Sequence, residues 1–153
     1  DLTIQNERLS GGERIGDIIV SYSVLEGTEI SGDLIPRLID EIPIIALLAT
    51  QAKGKTVIKD AEELRVKETD RIKAVVEVLK KLGANIEEKE DGMIINGKTP
   101  LKAGKIKSYA DHRMVMLGAI ASLISEGSVM IDDISSIAIS YPNFLESLQA
   151  VTS

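Results

Sequence analysis

The sequence predicts an α+β fold of mixed α/β layers, with helices on one face of small sheets. Three observations predict it. Residues 65–83, RVKETDRIKAVVEVLKKLG, end in an amphipathic helical pattern. Several short stretches, KTVIKDA, ANIEEKE, GMIINGK and SVMIDDI, alternate or carry β-branched centres. Helical and extended patterns interleave along the chain instead of falling into two blocks.

Taken in order, LTIQNE and DIIVSYS are expected to pair across SGGERIG. The SGGER stretch follows no strong strand and leads into no helix, so it reads as a turn and not as a phosphate loop. A helix is expected over 35–52, stopped by Gly54 and broken near Glu41 because Pro43 lies inside it. In the quoted segment Ile72, Val75, Val76, Leu79 and Leu82 share one face, while Lys73, Lys80 and Lys81 lie off it and Gly83 is a C-terminal stop. The Asp91-Gly92 pair predicts a hairpin between ANIEEKE and GMIINGK. A buried helix is expected over 110–125, with Met114, Leu117, Ala121 and Ile124 as its core stripe and Gly127 after it. The strand SVMIDDI and a short helix over 142–150 close the chain.

At 153 residues the chain is the size of one ordinary domain. Its net charge of −6 argues against a general nucleic-acid or membrane-surface binder, and scarce aromatics remove stacking platforms for single strands. The apolar run MVMLGAIASLI is too short to span a bilayer, and no leader segment is visible. Without cysteine there are no disulfides or thiolate metal sites, and no histidine–glutamate metal spacing occurs. A chain starting at Asp1 is expected to be processed or a piece of something longer.

A pattern repeats three times: a cluster of ionisable residues, a long helix ending at Gly, then a strand. The clusters are RLIDE, RVKETDR and YADHR. Arg71 and Arg113 stand at helix starts, after the potential caps Asp70 and Asp111. A helix start offers free N–H groups and partial positive charge, and a guanidinium adds a planar fork for carboxylate or phosphate. Arg65 and Lys67 would add charge there. The ordinary reading is a cap followed by a solvated cation. Glu68 and Asp40 do not fit a pure anion site, and carboxylates among cations suit proton transfer. His112, the single histidine, reads equally as a structural hydrogen-bonding group or as a proton carrier.

RVKETDR and YADHRM, with LIPRLIDEIPIIALLATQAKG and SYPNFLESL, resemble the C-terminal part of the 5-enolpyruvylshikimate-3-phosphate synthase family, the 3-phosphoshikimate 1-carboxyvinyltransferases. The resemblance covers nearly the whole chain and is weakest over about the first thirty residues. It implies an inside-out α/β barrel of βαβαββ repeat units, of which this chain would be about two units of the C-terminal lobe, with approximate units 1–55, 56–105 and 106–153. It also implies a cytoplasmic enzyme without cofactor or metal. That enzyme joins phosphoenolpyruvate to the 5-hydroxyl of shikimate 3-phosphate in aromatic amino-acid synthesis, and glyphosate inhibits it. By the same resemblance Asp40 and Glu68 are catalytic. Asp40, Glu63 and Lys67 hold shikimate 3-phosphate, and Arg71, His112 and Arg113 hold phosphoenolpyruvate.

Two positions depart from the family pattern. Many members carry Asn where this chain has Glu63, and many carry Lys where it has Ile139. By the same resemblance the N-terminal lobe is expected to lie outside this sequence, so the chain alone is expected to be inactive, with self-association or partial disorder near residues 1–30. Two alternatives stay open: a non-catalytic anion-binding structural fragment, and the sister UDP-N-acetylglucosamine enolpyruvyl transferase. The KETDR motif, with Lys67 set for a small phosphorylated polyol, favours the shikimate enzyme.

Overall fold

The computed structural model describes residues 1–152. β1 (Leu2–Ser10) and β2 (Glu13–Val20) form the expected antiparallel hairpin, with a tighter turn than SGGERIG suggests. Gly11 and Gly12 make that turn at φ +59° and +88°, a region glycine enters without a Cβ penalty. Every residue of both strands is exposed, so the start of the chain is a ribbon that adds nothing to the core.

β3 (Glu29–Ile30) precedes a break of the kind Pro43 predicts. Helix α1 (Ile35–Leu38) ends in a turn at 39–41, and α2 (Ile42–Gln51) starts afresh with the proline in its first turn. β4 (Gly54–Ile58) pairs parallel with β3. A 3₁₀ turn over Glu62–Val66 then leads to α3 (Arg71–Lys81), so the KETD part of the motif is a bend ahead of the helix. β5 (Ile86–Lys89) and β6 (Gly92–Gly97) form the Asp91-Gly92 hairpin and complete a sheet of order β3-β4-β6-β5. β7 (Leu101–Ile106), α4 (His112–Ser122) and β8 (Ser125–Ile131) make a helix between two parallel strands. The short α5 (Ile137–Ser140) and α6 (Phe144–Thr152) end the described chain.

The fold departs from expectation in places. α4 stops three residues early, because the Ser122 and Ser125 hydroxyls bond back to the Ala119 and Ala121 carbonyls and let the chain leave the helix. Ser125 therefore opens a strand, Gly127 sits inside it at φ +95°, and Ile124 is 45 % exposed instead of joining the core stripe. β3, β7 and α5 have no counterpart among the expected elements. In β7 only Leu101 and Ile106 are buried, and Lys102, Ala103, Gly104 and Lys105 lie between, so no alternation is visible.

α2, α3 and α4 pack on one another and, in turn, on β6, β5 and β8. Ile72, Val75, Val76, Leu79 and Leu82 are all buried as the α3 stripe predicts, each contributing about 1.5–3 kcal/mol of apolar burial. Gly97 lets β6 meet the end of α2 backbone to backbone: a Cβ there would lie 2.1 Å from the Ala52 carbonyl oxygen. Thr99 N–H closes the junction on the Thr50 carbonyl at 2.8 Å.

α1–α2, α3 and α4 each follow the C-terminal end of a strand. The turn before α4 is unusual, because Tyr109 and Ala110 are consecutive left-handed residues, φ 56° and 53°. Such a conformation costs about 1–2 kcal/mol for a residue with a Cβ. Two contacts hold it: Ser108 N–H donates to Asp132 Oδ1 at 2.8 Å, and the Tyr109 hydroxyl donates to Glu77 on α3. Burial and then the Glu77 carboxylate push the Tyr109 phenol up from 10.0 to about 12.

Two outcomes are expected. Ala110→Gly should raise stability by about 0.5–1 kcal/mol in denaturant titration, the relieved strain exceeding the added freedom of the unfolded chain. The folded chain holds the Tyr109 proton more tightly than the unfolded chain does. Its contribution to stability is therefore complete below pH 10 and lost as pH climbs towards about 12. Tyr109→Phe should abolish that part of the decline, and tyrosinate absorbance should lose its latest step.

Candidate active site

Three chain breaks converge. Asp40 lies in the turn between α1 and α2, Glu68 lies in the bend before α3, and Arg71 is the first residue of α3. His112 and Arg113 open α4. The meeting point is the Arg71 guanidinium, 1 % exposed. Its Nε donates to Asp111 Oδ2 at 2.8 Å, Nη1 to Asp40 Oδ1 at 3.0 Å, and Nη2 to Glu68 Oε2 at 2.6 Å. Burial works against its charge, but the Asp111 hydrogen bond, the charges of Asp111 and Glu68 and the Asp40 hydrogen bond prevail and raise its pKa.

Asp40 reaches a second cation. Its Oδ2 lies 3.2 Å from Arg113 Nη2, and Arg113 Nη1 lies 3.8 Å from Glu41. The Arg113 Nε is buried and has no hydrogen-bond partner among the described residues. Arg113 and Asp40 also form the polar end of a cavity of about 200 Å³, otherwise walled by apolar side chains such as Ile44, Met116, Ile120 and Phe144. His112 Nδ1 stands 3.9 Å from Asp111 Oδ1.

Both helix starts are capped from within the chain. Asp70 Oδ1 accepts from Lys73 N–H at 3.0 Å, and Asp111 Oδ1 accepts from Arg113 N–H at 2.8 Å. The expectation of helix starts open to anions is thus modified, and the exposed edges of the forks are what remains for a ligand. Lys67 pairs with Glu63 one helical turn away, so the position where Asn is common carries the counter-ion of Lys67. No bond joins this pair to Arg71 or Arg113 among the described residues. Arg65 is not part of any anion site. Its Nε and Nη2 donate to the Glu90 and Lys89 carbonyls, and its Nη1 meets Asp70 and Glu88, tying the β5–β6 hairpin to the start of α3. Ile139, in the place of the frequent Lys, is 82 % exposed.

Sequence reasoning assigned Asp111 a cap and no more. The signal for its second contact is that Asp111 stands immediately before the two α4 residues already singled out. Chemically, the cluster presents two half-exposed carboxylates, Asp40 and Glu68, on the outer edge of one fixed guanidinium, with Arg113 alongside. That arrangement suits binding a small anion next to groups that take and give protons. No group of side chains able to hold a metal ion occurs among the described residues. No helix among them is long and apolar enough to cross a membrane.

Comparison with known proteins places the chain in a family. Residues 10–148 match the family model described as EPSP synthase (3-phosphoshikimate 1-carboxyvinyltransferase). A 3-phosphoshikimate 1-carboxyvinyltransferase of Oceanobacillus iheyensis is 63 % identical over 150 residues, 98 % of this chain and 35 % of that protein. The protein of the same name from Listeria innocua is 53 % identical over 151 residues, again 98 % and 35 %. An EPSP synthase structure from Acinetobacter baumannii superimposes with a TM-score of 0.92 at 40 % identity, covering 98 % of this chain and 36 % of that one. The enolpyruvyl transferase NikO from Streptomyces tendae, at 17 % identity and a TM-score of 0.68 over 97 % of this chain and 32 % of its own, shares the fold. The chain therefore spans about a third of the length of these relatives. On the matched residues, the identities and the superposition together, this chain belongs to the EPSP synthase family.

Proposed function

We propose that the chain supplies part of the C-terminal lobe of a cytoplasmic enzyme that transfers the enolpyruvyl group of phosphoenolpyruvate to the 5-hydroxyl of shikimate 3-phosphate and releases phosphate. The observation that carries this reading is the convergence of Asp40 and Glu68 on the buried guanidinium of Arg71, with Arg113 paired to the second oxygen of Asp40. In this reading Arg71, His112 and Arg113 hold phosphoenolpyruvate, while Asp40, Lys67 and Glu63 address shikimate 3-phosphate. Asp40 takes the 5-hydroxyl proton as that oxygen bonds to C2, and Glu68 gives a proton to C3, forming a tetrahedral intermediate. The C2–O bond to phosphate then breaks. Glu68 recovers a proton from C3, and the proton on Asp40 leaves with the phosphate. Each step needs a carboxylate beside a held anion, which a shared guanidinium edge provides.

The remaining cations for a doubly phosphorylated cargo are assigned to the rest of the enzyme. Within this chain Lys67, Arg71 and Arg113 already face Asp40, Glu41, Glu63, Glu68 and Asp111. The exposed ribbon residues Leu2, Ile4, Ile18 and Val20 are assigned to contact with the rest of the enzyme and drive self-association when it is not supplied.

The isolated chain is expected to release no phosphate from the two substrates. A full-length enzyme carrying this segment should turn over, and Glu68→Gln should lower its kcat by about 10²–10⁴-fold, the usual worth of a positioned acid–base group. Undiminished turnover by the Gln variant would overturn the assignment. In sedimentation, the isolated chain should show an average mass that rises with concentration, and a concentration-independent single-chain mass would refute the self-association.

A further inference from the structure

Asp111 is fully buried, ionisable and unused by the chemistry above. A helix cap needs one oxygen, and Oδ1 serves there for Arg113 N–H at 2.8 Å. Oδ2 instead takes the Nε–H of Arg71, forty positions away in sequence, at 2.8 Å, and Oδ1 lies 3.4 Å from Arg71 Nη2. One carboxylate thus spans the first turns of two helices that carry the proposed phosphoenolpyruvate ligands.

The partners of Arg71 are not equivalent. Asp40 and Glu68 sit on its outer edge with side chains 47 % and 52 % exposed, whereas Asp111 grips the inner edge with none of its surface accessible. An incoming anion can exchange with the outer carboxylates and has no route to the inner one. The turn that presents Asp111 is also fixed, by two left-handed residues and the Tyr109–Glu77 hydrogen bond. Asp70 on α3 makes the contrast clear. It too caps with one oxygen and meets an arginine with the other, but that arginine, Arg65, is spent on hairpin carbonyls.

We propose that Asp111 is a positioning residue, the permanent anionic partner that aims the Arg71 fork at phosphoenolpyruvate and sets its distance from Arg113, while Asp40 and Glu68 are exchangeable partners. This rests on the reading of Arg71 as a phosphoenolpyruvate ligand. Asp111→Asn separates the two tasks, because asparagine still caps a helix but carries no charge for the guanidinium.

In the full-length enzyme carrying this segment, Asp111→Asn should raise KM for phosphoenolpyruvate on the order of 10- to 100-fold, the range of a lost charge-assisted hydrogen bond, and leave KM for shikimate 3-phosphate within about 3-fold. In an Arg71→Lys background the same change should add less than about 2-fold. Additive effects, or equal rises in both KM values, would overturn the proposal. A second measurement needs no variant. In the wild-type 153-residue chain the Arg71 Nε–H should be rigid by nitrogen relaxation, with an order parameter of about 0.85, and a value under about 0.6 would overturn the proposal. If the full-length enzyme ignores phosphoenolpyruvate altogether, the functional reading fails, and the relaxation measurement still decides whether Asp111 holds Arg71.

Discussion

A guanidinium shut away from water must have its charge answered on the spot, and Arg71 imposes that condition on three separate stretches of chain. Asp111 answers from the start of α4, Asp40 from the α1–α2 turn and Glu68 from the bend before α3. Only Asp111 shares the burial of Arg71, and removing one member of such a buried pair typically costs about 3–5 kcal/mol, because the other is left uncompensated. The same contacts therefore hold the three helix starts in mutual register and keep two carboxylates beside a cation. Stability and site geometry are here one network, and neither is adjustable without the other.

The charge balance of that network suits a component of a larger site. The chain is acidic overall, and the Arg71 fork meets Asp40, Glu68 and Asp111 while the terminal nitrogens of Arg113 face Asp40 and Glu41. Such a surface attracts an anion only where a carboxylate yields its place or where cations come from outside this segment. The exposed positions of Asp40 and Glu68 make them the groups able to yield.

Local signals in the sequence located much of the fold. Pro43 places the break that carries Asp40, the three- and four-residue spacing around Val75 and Leu79 identifies the α3 core face, and Asp91-Gly92 identifies a hairpin. What stayed hidden depends on partners distant in sequence. β7 is a strand because β8 lies beside it, although no alternation marks its sequence, and Ile124 leaves the core because two serine hydroxyls end α4 early. The site divides in the same way. The RVKETDR and DHR stretches mark the residues, but the Arg65 fork goes to hairpin carbonyls and to Asp70 and Glu88, and the inner edge of Arg71 goes to Asp111, outcomes that only folding decides.

Gly97 has a mechanical consequence. With a hydrogen in place of a side chain, the end of β6 seats against the Ala52 and Ala49 carbonyls, and the Gln51 amide reaches across to Thr99. The far end of α2 is thereby fastened to the sheet at backbone distance. Asp40 stands just ahead of the near end of the same helix, so α2 acts as a strut of fixed length and cannot slide like a piston. Motion of Asp40 is confined to its own side-chain torsions and the short turn at 39–41.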